Sequence, residues 1–221
     1  MKRYVVKRVS ERPGLCGEWD KGLWGGVEAA EIDSWLGGED RDRPCARVKA
    51  VYDEGAIYVN FRVEDKYVRA VARGYHGPVW EDSCVEFFFT PGEDVSEGYF
   101  NVETNCGGTM LFNRQKERGV ENVAVGEADC DKVEIYHSLD KIIEPEIKEE
   151  VVWSLQYRLP FEVVRKYAPS FDEPGEGVKW RANFYKCGDE TSRPHFMTWN
   201  PIVVEEPDFH RPEFFGELVF G

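Results

Sequence analysis

The stretch AIYVNFRV, residues 56–63, decides the fold class of this chain. Its apolar residues fall on every second position from Ile57 to Val63, and polar or aromatic residues fill the positions between them. A period of two is typical of a β-strand with one buried face. The sequence DEG at residues 53–55, preceded by the strand-like residues 48–52, predicts a tight hairpin here.

Similar short segments recur along the chain, separated by turns rich in Gly and Pro. Residues 161–167 alone are predicted to be helical, because Pro160 suits a helix start and Pro169 follows the end. Many short strands of this kind are typical of a sandwich or a barrel. We therefore predict an all-β fold, an antiparallel β-sandwich with one short helix, as a single domain over residues 1–221. The predicted strands are residues 48–52, 56–63, 84–90, 99–105, 109–112, 133–136, 151–159, 178–187 and 217–220.

Composition and charge exclude several classes of partner. The net charge of −14 over 221 residues would repel a phosphate backbone, so we expect no nucleic-acid partner. A hydrophobic fraction of 42% is too high for a disordered chain. No apolar stretch is long enough to span a membrane, so we expect no membrane partner either. The sequence does not indicate an oligomeric state.

The cysteines and the N-terminus bear on the cellular compartment. The chain has six cysteines and no CxxC pair. Its first eight residues, MKRYVVKR, alternate charge with short apolar runs and lead into no secretory signal core. We therefore expect a cytoplasmic protein with reduced thiols, or an extracellular one if a leader was trimmed from this sequence.

Two strands predict a polar sheet face beside an apolar one. Within residues 84–90 and 99–105, apolar and polar side chains alternate, so they point to opposite faces. Carboxylates and amides offer the acceptors and donors that sugar hydroxyls need. An ordinary solvated sheet face would show the same alternation. The apolar face, predicted to be core, carries Val85, Phe87, Phe89, Phe100 and Val102. The polar face, a candidate binding surface, carries Glu86, Asn101, Glu103 and Asn105.

Further candidates for a binding site are aromatic or flank this face. Trp80 lies in the turn-rich segment GPVWED and could stack on the C–H face of a sugar ring. A core tryptophan that closes one end of the sandwich is the alternative, and Trp199 is then the next candidate for stacking. Arg181 and Asn183 alternate with buried-type residues and would point outward or toward a site. An exposed strand edge explains those two equally well.

Signatures of enzymes and common metal sites are missing from the sequence. The four histidines are scattered, and neither an HExxH pair nor zinc-finger spacing occurs. There is no GxSxG nucleophile elbow, no glycine-rich phosphate loop and no EF-hand loop. Classical catalysis therefore has little support, and no cofactor is required.

Four segments together resemble carbohydrate-binding module family 9, in its stand-alone branch. They are PVWEDSCVEFF (78–88), YFNVETN (99–105), WRANFYKCGD (180–189) and FHRPEFFGEL (209–218). The resemblance runs from about residue 46 to the C-terminus. It implies a DOMON-like, immunoglobulin-like β-sandwich and non-catalytic binding of a sugar-chain end between two tryptophan rings. It also implies that structural calcium is possible.

The resemblance assigns roles to five positions. Trp80 matches the first of the two sandwiching tryptophans, and Glu86 matches a glutamate that contacts the sugar. The second tryptophan falls at Phe209, and a contacting arginine and asparagine fall at Asn101 and Glu103. These last three positions depart from the family pattern, which leaves the identity of the sugar open.

Two other functions stay open at this point. A glycoside-active enzyme would use Glu86 and Glu103, because opposed residues on paired strands have Cβ atoms about 4.5–5.5 Å apart and retaining glycosidases space their carboxyls about 5–5.5 Å apart. A haem-binding relative of the DOMON domains is the second alternative. Its candidate axial ligands are Met110, Met197, His195 and Lys186.

Overall fold

The computed structural model describes residues 1–38 and 42–221 of the chain. In these residues β-strands dominate. In chain order the strands are β1 (Arg3–Arg8), β2 (Ala30–Ile32), β3 (Ser34–Gly38), β4 (Cys45–Tyr52), β5 (Ala56–Asp65), β6 (Val68–Ala70), β7 (Cys84–Thr90), β8 (Tyr99–Asn105), β9 (Met110–Gln115), β10 (Val123–Ala124), β11 (Glu134–His137), β12 (Ile143–Ile147), β13 (Val151–Pro160), β14 (Lys179–Cys187), β15 (His195–Thr198) and β16 (Gly216–Phe220). The α-helices are α1 (Glu127–Cys130) and α2 (Phe161–Tyr167), and 3₁₀ turns occur at Gly22–Gly26, Val79–Glu81, Val95–Glu97 and Pro212–Phe214.

The strands form two layers that meet at β1. One layer has the order β10-β9-β8-β7-β14-β16-β1, and the other has the order β1-β4-β5-β13-β11. Strand β1 pairs with β16 through residues 3–6 and with β4 through residues 7–8. Strands β15 and β3 extend the first layer beside β14, β2 lies beside β4, and β6 pairs with β12. The predicted all-β sandwich is confirmed, although β1 runs parallel to both of its neighbours.

The main core lies between the two layers and is built from aromatic side chains. Phe87 and Phe89 of β7 enter it from one layer, and Phe61 and Trp153 enter it from the other, all with no exposed surface. The ring of Phe184 contacts both layers, at 5.0 Å from Phe87 and 6.1 Å from Phe61. Fully burying one such side chain contributes about 1.5–3 kcal/mol. The predicted core face of β7 and β8 is therefore confirmed.

The helix at residues 161–167 has the predicted bounds. Pro160 precedes it, and the extended Ala168 ends it. The helix packs Phe161, Val163 and Val164 against the core. Helix α1 was not predicted, because a single turn of four residues shows no helical periodicity.

A second apolar cluster covers the outer face of the first layer. Phe88 of β7, Tyr99 of β8 and Tyr185 of β14 point away from the main core and contact Phe209 and Phe215 of the C-terminal segment. This segment lies over the sheet face that carries Glu86. The outer face is therefore buried as well, and the interpretation of an ordinary solvated face is wrong.

Candidate functional site

A cavity of about 340 Å³ opens on the outer face of the first layer. Its floor comes from three neighbouring strands: Glu86 on β7, Glu103 on β8 and Cys187 on β14. The register places Glu86 directly opposite Glu103 on one side and Tyr185 on the other. The walls are formed by the 3₁₀ turn at Val79–Glu81, the segment after β9 and the segment before Pro212.

Five of the residues singled out from the sequence line this cavity. Trp80 is 38% exposed, which is high for a tryptophan, because the 3₁₀ turn holds it at the rim. Glu86, Asn101 and Glu103 lie on the floor and are almost fully buried. Phe209 forms part of a wall. The strand alternation and the resemblance thus converge on one place in the fold.

The ring of Phe209 is held firmly. It stacks on Tyr185 at a centroid distance of 4.3 Å and an interplanar angle of 14°, and Phe196 meets it edge-on at 6.2 Å. The Tyr185 hydroxyl also donates a hydrogen bond to the Phe209 carbonyl oxygen, at 3.1 Å. An aromatic wall fixed in this way loses little conformational entropy when a ligand packs against it.

The other four predicted site residues lie outside the cavity lining, where they support the backbone or the core. The Asn105 amide donates to Asp82 at 2.8 Å and accepts from the Thr109 amide at 2.9 Å. The Asn183 side chain bonds both backbone groups of Asn200.

The side chains of Arg181 and Trp199 likewise make their contacts within the protein and not in the cavity. The Arg181 guanidinium donates to the carbonyl oxygens of Phe215 and Gly216. Trp199 is 3% exposed and packs on Phe184 in the main core. Alternation alone cannot separate such residues from ligand-binding ones, because both kinds point to the same side of a strand.

A chain of amide hydrogen bonds orders the floor of the cavity. The Gln115 amide nitrogen donates to Asn101 at 3.0 Å, and the Asn101 amide nitrogen donates to Glu103 at 2.9 Å. The Gly119 backbone amide in turn donates to the Gln115 side-chain oxygen, at 2.7 Å. Each amide is therefore oriented before any ligand arrives.

Burial dominates the electrostatics of the carboxyl groups. Burial, together with the nearby Cys187 and Glu103, raises the pKa of Glu86 well above its usual range. The Cys187 thiol donates to the Glu86 carboxylate at 3.1 Å. Burial raises the pKa of Glu103 to about 7, although the Asn101 hydrogen bond acts in the opposite direction. Burial, with Glu190 and Glu81 nearby, raises the pKa of Asp189 to about 6.

His210 adds a neutral donor to the cavity. Its Nδ1 atom lies 2.8 Å from the Tyr99 hydroxyl and 3.2 Å from the Gln115 amide nitrogen, so Nδ1 accepts and Nε2 carries the proton. Burial, with Arg118 nearby, lowers the pKa of His210 to about 4. Arg118 lies at the mouth, where it pairs with Asp208 at 3.3 Å.

The sequence prediction missed Gln115, Arg118, Asp189 and His210. Gln115 could have been found, because β9 continues past Phe112 and its alternation then carries Gln115 onto the cavity face. His210 and Asp189 stand within the quoted segments but matched no assigned role. Arg118 lies in a loop without any sequence signal.

Comparison with known proteins identifies the family. The model of carbohydrate-binding family 9 matches residues 26–220. The chain belongs to carbohydrate-binding family 9. A crystal structure from Bacteroides uniformis, described as a candidate carbohydrate-binding protein, shares 30% sequence identity and a TM-score of 0.81 with this family 9 chain, over 100% of this chain and 99% of that one. No curated protein matches the chain in sequence.

Two solved structures of family 9 modules from Caldicellulosiruptor kristjanssonii share the fold. The one in complex with cellotriose has 15% identity and a TM-score of 0.65, over 99% of this chain and 93% of that one. The one in complex with glucose has 15% identity and a TM-score of 0.63, over 100% of this chain and 96% of that one. None of the helices described in our structure is long and apolar enough to cross a membrane.

The structural calcium that the resemblance implies as possible stays a prediction. Calcium takes about six to eight oxygen ligands. Among the described residues, the set of three His, Cys, Asp or Glu ligand atoms lying within 4.8 Å of one another is formed by Cys84, Glu86 and Cys187. Two sulfurs do not fit a hard cation, so we assign no residue of this family 9 domain to calcium.

The candidate haem ligands are occupied elsewhere. Lys186 and His195 are buried and hydrogen-bonded to each other, with 2.7 Å between Nζ and Nε2. Lys186 also pairs with Asp65 at 3.2 Å. Met110 and Met197 are buried in the main core. None of the four candidates lines the cavity, so their positions give the haem hypothesis no support.

Proposed function

We propose that this family 9 domain binds the end of a carbohydrate chain in the cavity and does not cleave it. The observation that carries the proposal is the pairing of two aromatic rings with a polar floor. Trp80 at the rim and Phe209 in the wall offer flat apolar surfaces, and sugar C–H faces pack on such rings. The ordered amides and carboxyls beneath offer donors and acceptors to hydroxyls.

The size of the cavity supports a short ligand. Its volume of about 340 Å³ lies at the small end of the range for ligand pockets, about 300–1,000 Å³. A terminal sugar and part of its neighbour suit such a space better than the middle of a long chain. The glucose and cellotriose complexes of the structural neighbours make glucose-based ligands the first to test.

The raised pKa values leave the glycosidase alternative without a fully ionised nucleophile at neutral pH. A retaining enzyme needs one ionised carboxylate as nucleophile and one protonated carboxyl as acid. Glu86 and Glu103 do face each other across β7 and β8, but burial raises the pKa of both. Among the described residues no salt bridge reaches either group to hold it ionised.

Calorimetric titration with glucose, cellobiose, cellotriose and xylobiose tests the proposal. We expect saturable binding of at least one of them with one site per chain, and recovery of the sugar unchanged after long incubation. Sorbitol, which has hydroxyls but no ring, is the control and should not bind. Release of glucose from cellotriose that stops in Glu103→Gln would instead establish the enzyme.

A further inference from the structure

Two cysteines and one glutamate meet at the bottom of the cavity. Cys84 on β7 and Cys187 on β14 are directly opposite each other in the strand register. Glu86 lies two residues along β7 from Cys84, so it points to the same face. The three ligand atoms all lie within 4.8 Å of one another, and the Cys187 sulfur is 3.1 Å from a Glu86 oxygen.

The spacing of these atoms suits a tetrahedral metal. Zinc binds sulfur at about 2.3 Å and carboxylate oxygen at about 2.0–2.2 Å, so tetrahedral ligands stand about 3.5–3.8 Å apart. Atoms already within 4.8 Å of one another reach that spacing by small rotamer shifts. Two thiolates and one carboxylate form a donor set that selects zinc over calcium or magnesium.

A disulfide fits the same cysteines less well. Directly opposed residues of antiparallel strands have Cβ atoms about 4.5–5.5 Å apart, whereas a disulfide needs about 3.8 Å. A metal between the two sulfurs spans the longer gap without distorting the sheet. The structure has both cysteines as free thiols.

The site is accessible from one side. Glu86 and Cys187 line the cavity, while Cys84 lies behind them with no exposed surface. A cation can therefore enter through the cavity, and a fourth coordination position would face it. Three protein ligands with an open position is the arrangement of zinc sites that bind a further ligand.

We propose that Cys84, Glu86 and Cys187 bind one zinc ion at the floor of the cavity. On binding, the two thiols and the Glu86 carboxyl each release a proton to solvent, and Glu86 coordinates as a carboxylate. Among the described residues no salt bridge reaches Glu86. The zinc ion would supply positive charge next to it. This site shares Glu86 and the cavity floor with the proposed sugar site, but its test does not require that a sugar bind.

Cobalt titration of the full chain under reducing conditions tests the site. Co²⁺ reports on zinc sites because thiolate ligation gives a charge-transfer band in the near ultraviolet and a tetrahedral field gives strong visible bands. We expect both signals to saturate at one equivalent per chain and to disappear when one equivalent of Zn²⁺ is added. Failure of the wild-type protein to develop the charge-transfer band overturns the proposal.

Variants locate the site. Cys84→Ser and Cys187→Ser should each abolish the charge-transfer band, and Glu86→Gln should weaken cobalt binding while keeping both thiolates. Cys106→Ser is the matched control, because Cys106 is equally buried but lies outside the group, and it should bind like wild type.

Two results would count against the site even if cobalt binds. A band that survives in the Cys84→Ala/Cys187→Ala double variant would place the metal on other cysteines of the chain, of which Cys16 and Cys45 are exposed. This double variant buries no new hydroxyl, so it also replaces the serine variants if they fail to fold. A count of four free thiols in denatured, unreduced wild type, together with all four remaining thiols free in the double variant, would show a Cys84–Cys187 disulfide instead.

Discussion

Two buried clusters of ionisable groups flank strand β14, and they differ in how their charges are balanced. On one side of the strand, Lys186 pairs with Asp65 at 3.2 Å and donates to His195 at 2.7 Å. On the other side, Glu86 and Glu103 face each other. Among the described residues no salt bridge reaches this second pair.

The first cluster, formed by Lys186, Asp65 and His195, is the balanced cluster, and its groups are saturated with hydrogen-bond and salt-bridge partners. Asp65 accepts from Lys186, from the Trp153 indole at 3.2 Å and from the Lys66 amide at 2.8 Å. His195 accepts from Lys186 at Nε2 and donates from Nδ1 to the Arg193 carbonyl oxygen, at 2.8 Å. Such a cluster holds the two layers in register and leaves nothing for a ligand.

The second cluster, formed by Glu86 and Glu103, is the unbalanced cluster, and its carboxyls have few hydrogen-bond partners. Glu86 receives one weak thiol hydrogen bond, and Glu103 receives one amide hydrogen bond. Buried carboxylates with unused acceptor capacity are costly in the free protein and gain most when a ligand supplies donors or positive charge. The comparison teaches that a buried carboxyl pair without a salt bridge, rather than burial alone, distinguishes the cavity floor from the rest of the interior.

Breaking the balanced cluster should have the largest effect. Lys186→Met leaves Asp65 buried without its cation, and the loss of one partner of a buried pair costs about 3–5 kcal/mol of unfolding free energy. Lys2→Met is the matched control, because both Lys2 and its partner Asp33 are exposed and an exposed pair contributes about 0–1 kcal/mol. Urea titration of both variants measures the difference, and equal losses would contradict the comparison.

The pH dependence of stability should reveal His195. Burial, with Lys186 nearby, lowers the pKa of His195 to about 4 in the folded protein, against about 6.5 when unfolded. The unfolded chain therefore binds the extra proton between these values, and the His195 contribution is complete above pH 6.5 and lost as pH falls toward 4. The shift corresponds to roughly 3 kcal/mol.

His195→Gln isolates this contribution from other groups that titrate in the same range. The difference in unfolding free energy between wild type and variant should be largest above pH 6.5 and should shrink toward pH 4. Urea titrations at half-unit steps of pH provide the measurement. A difference that stays constant over this range would show that His195 does not titrate as its surroundings require.

On the unbalanced side, Trp80→Ala should reduce sugar affinity more than stability. Its ring is 38% exposed, so truncation removes a stacking surface and little core. Loss of a central tryptophan commonly costs 2 kcal/mol or more, which is at least about thirtyfold in affinity. Trp35→Ala, outside the cavity lining, is the control and should leave affinity unchanged. Calorimetry and urea unfolding of the same samples separate the two readouts, and a stability loss of about 3–5 kcal/mol would make Trp80 a core residue.

The sequence predicted the strands that build the cavity floor but not which polar groups the site uses. Strands β7 and β8 have the predicted bounds because their alternation is complete over seven residues each. Among the described residues, the sequence did not predict seven further strands, which are β1, β2, β3, β6, β10, β12 and β15. Those of two to four residues show too little periodicity.

Which polar residues serve the ligand depends on contacts that are distant in the chain. Asn105 and Asn183 share the polar pattern of Asn101, yet their amides are used by Asp82 and Asn200. The burial of the floor depends on the C-terminal segment, which crosses a sheet face more than one hundred residues earlier in the chain. Alternation within a strand carries no information about either contact.

Glu103→Gln should change the free energy of unfolding least. Whether it raises or lowers that free energy is what tests the comparison. Replacing a member of a balanced pair destabilises, whereas replacing a buried carboxyl that lacks a cation removes a cost. The glutamine oxygen can still accept the Asn101 hydrogen bond, and its volume is nearly unchanged. We therefore expect an unfolding free energy at pH 8 between that of wild type and about 1 kcal/mol above it.

Asp65→Asn, the equivalent change in the balanced cluster, should lower the unfolding free energy by several kcal/mol, because Lys186 loses its partner. If Glu103→Gln destabilises as strongly as Asp65→Asn, then Glu103 is a carboxylate that stabilises the fold by pairing with another group when the protein is in solution. The proposed binding site must then be centred on Glu86 and Trp80 alone.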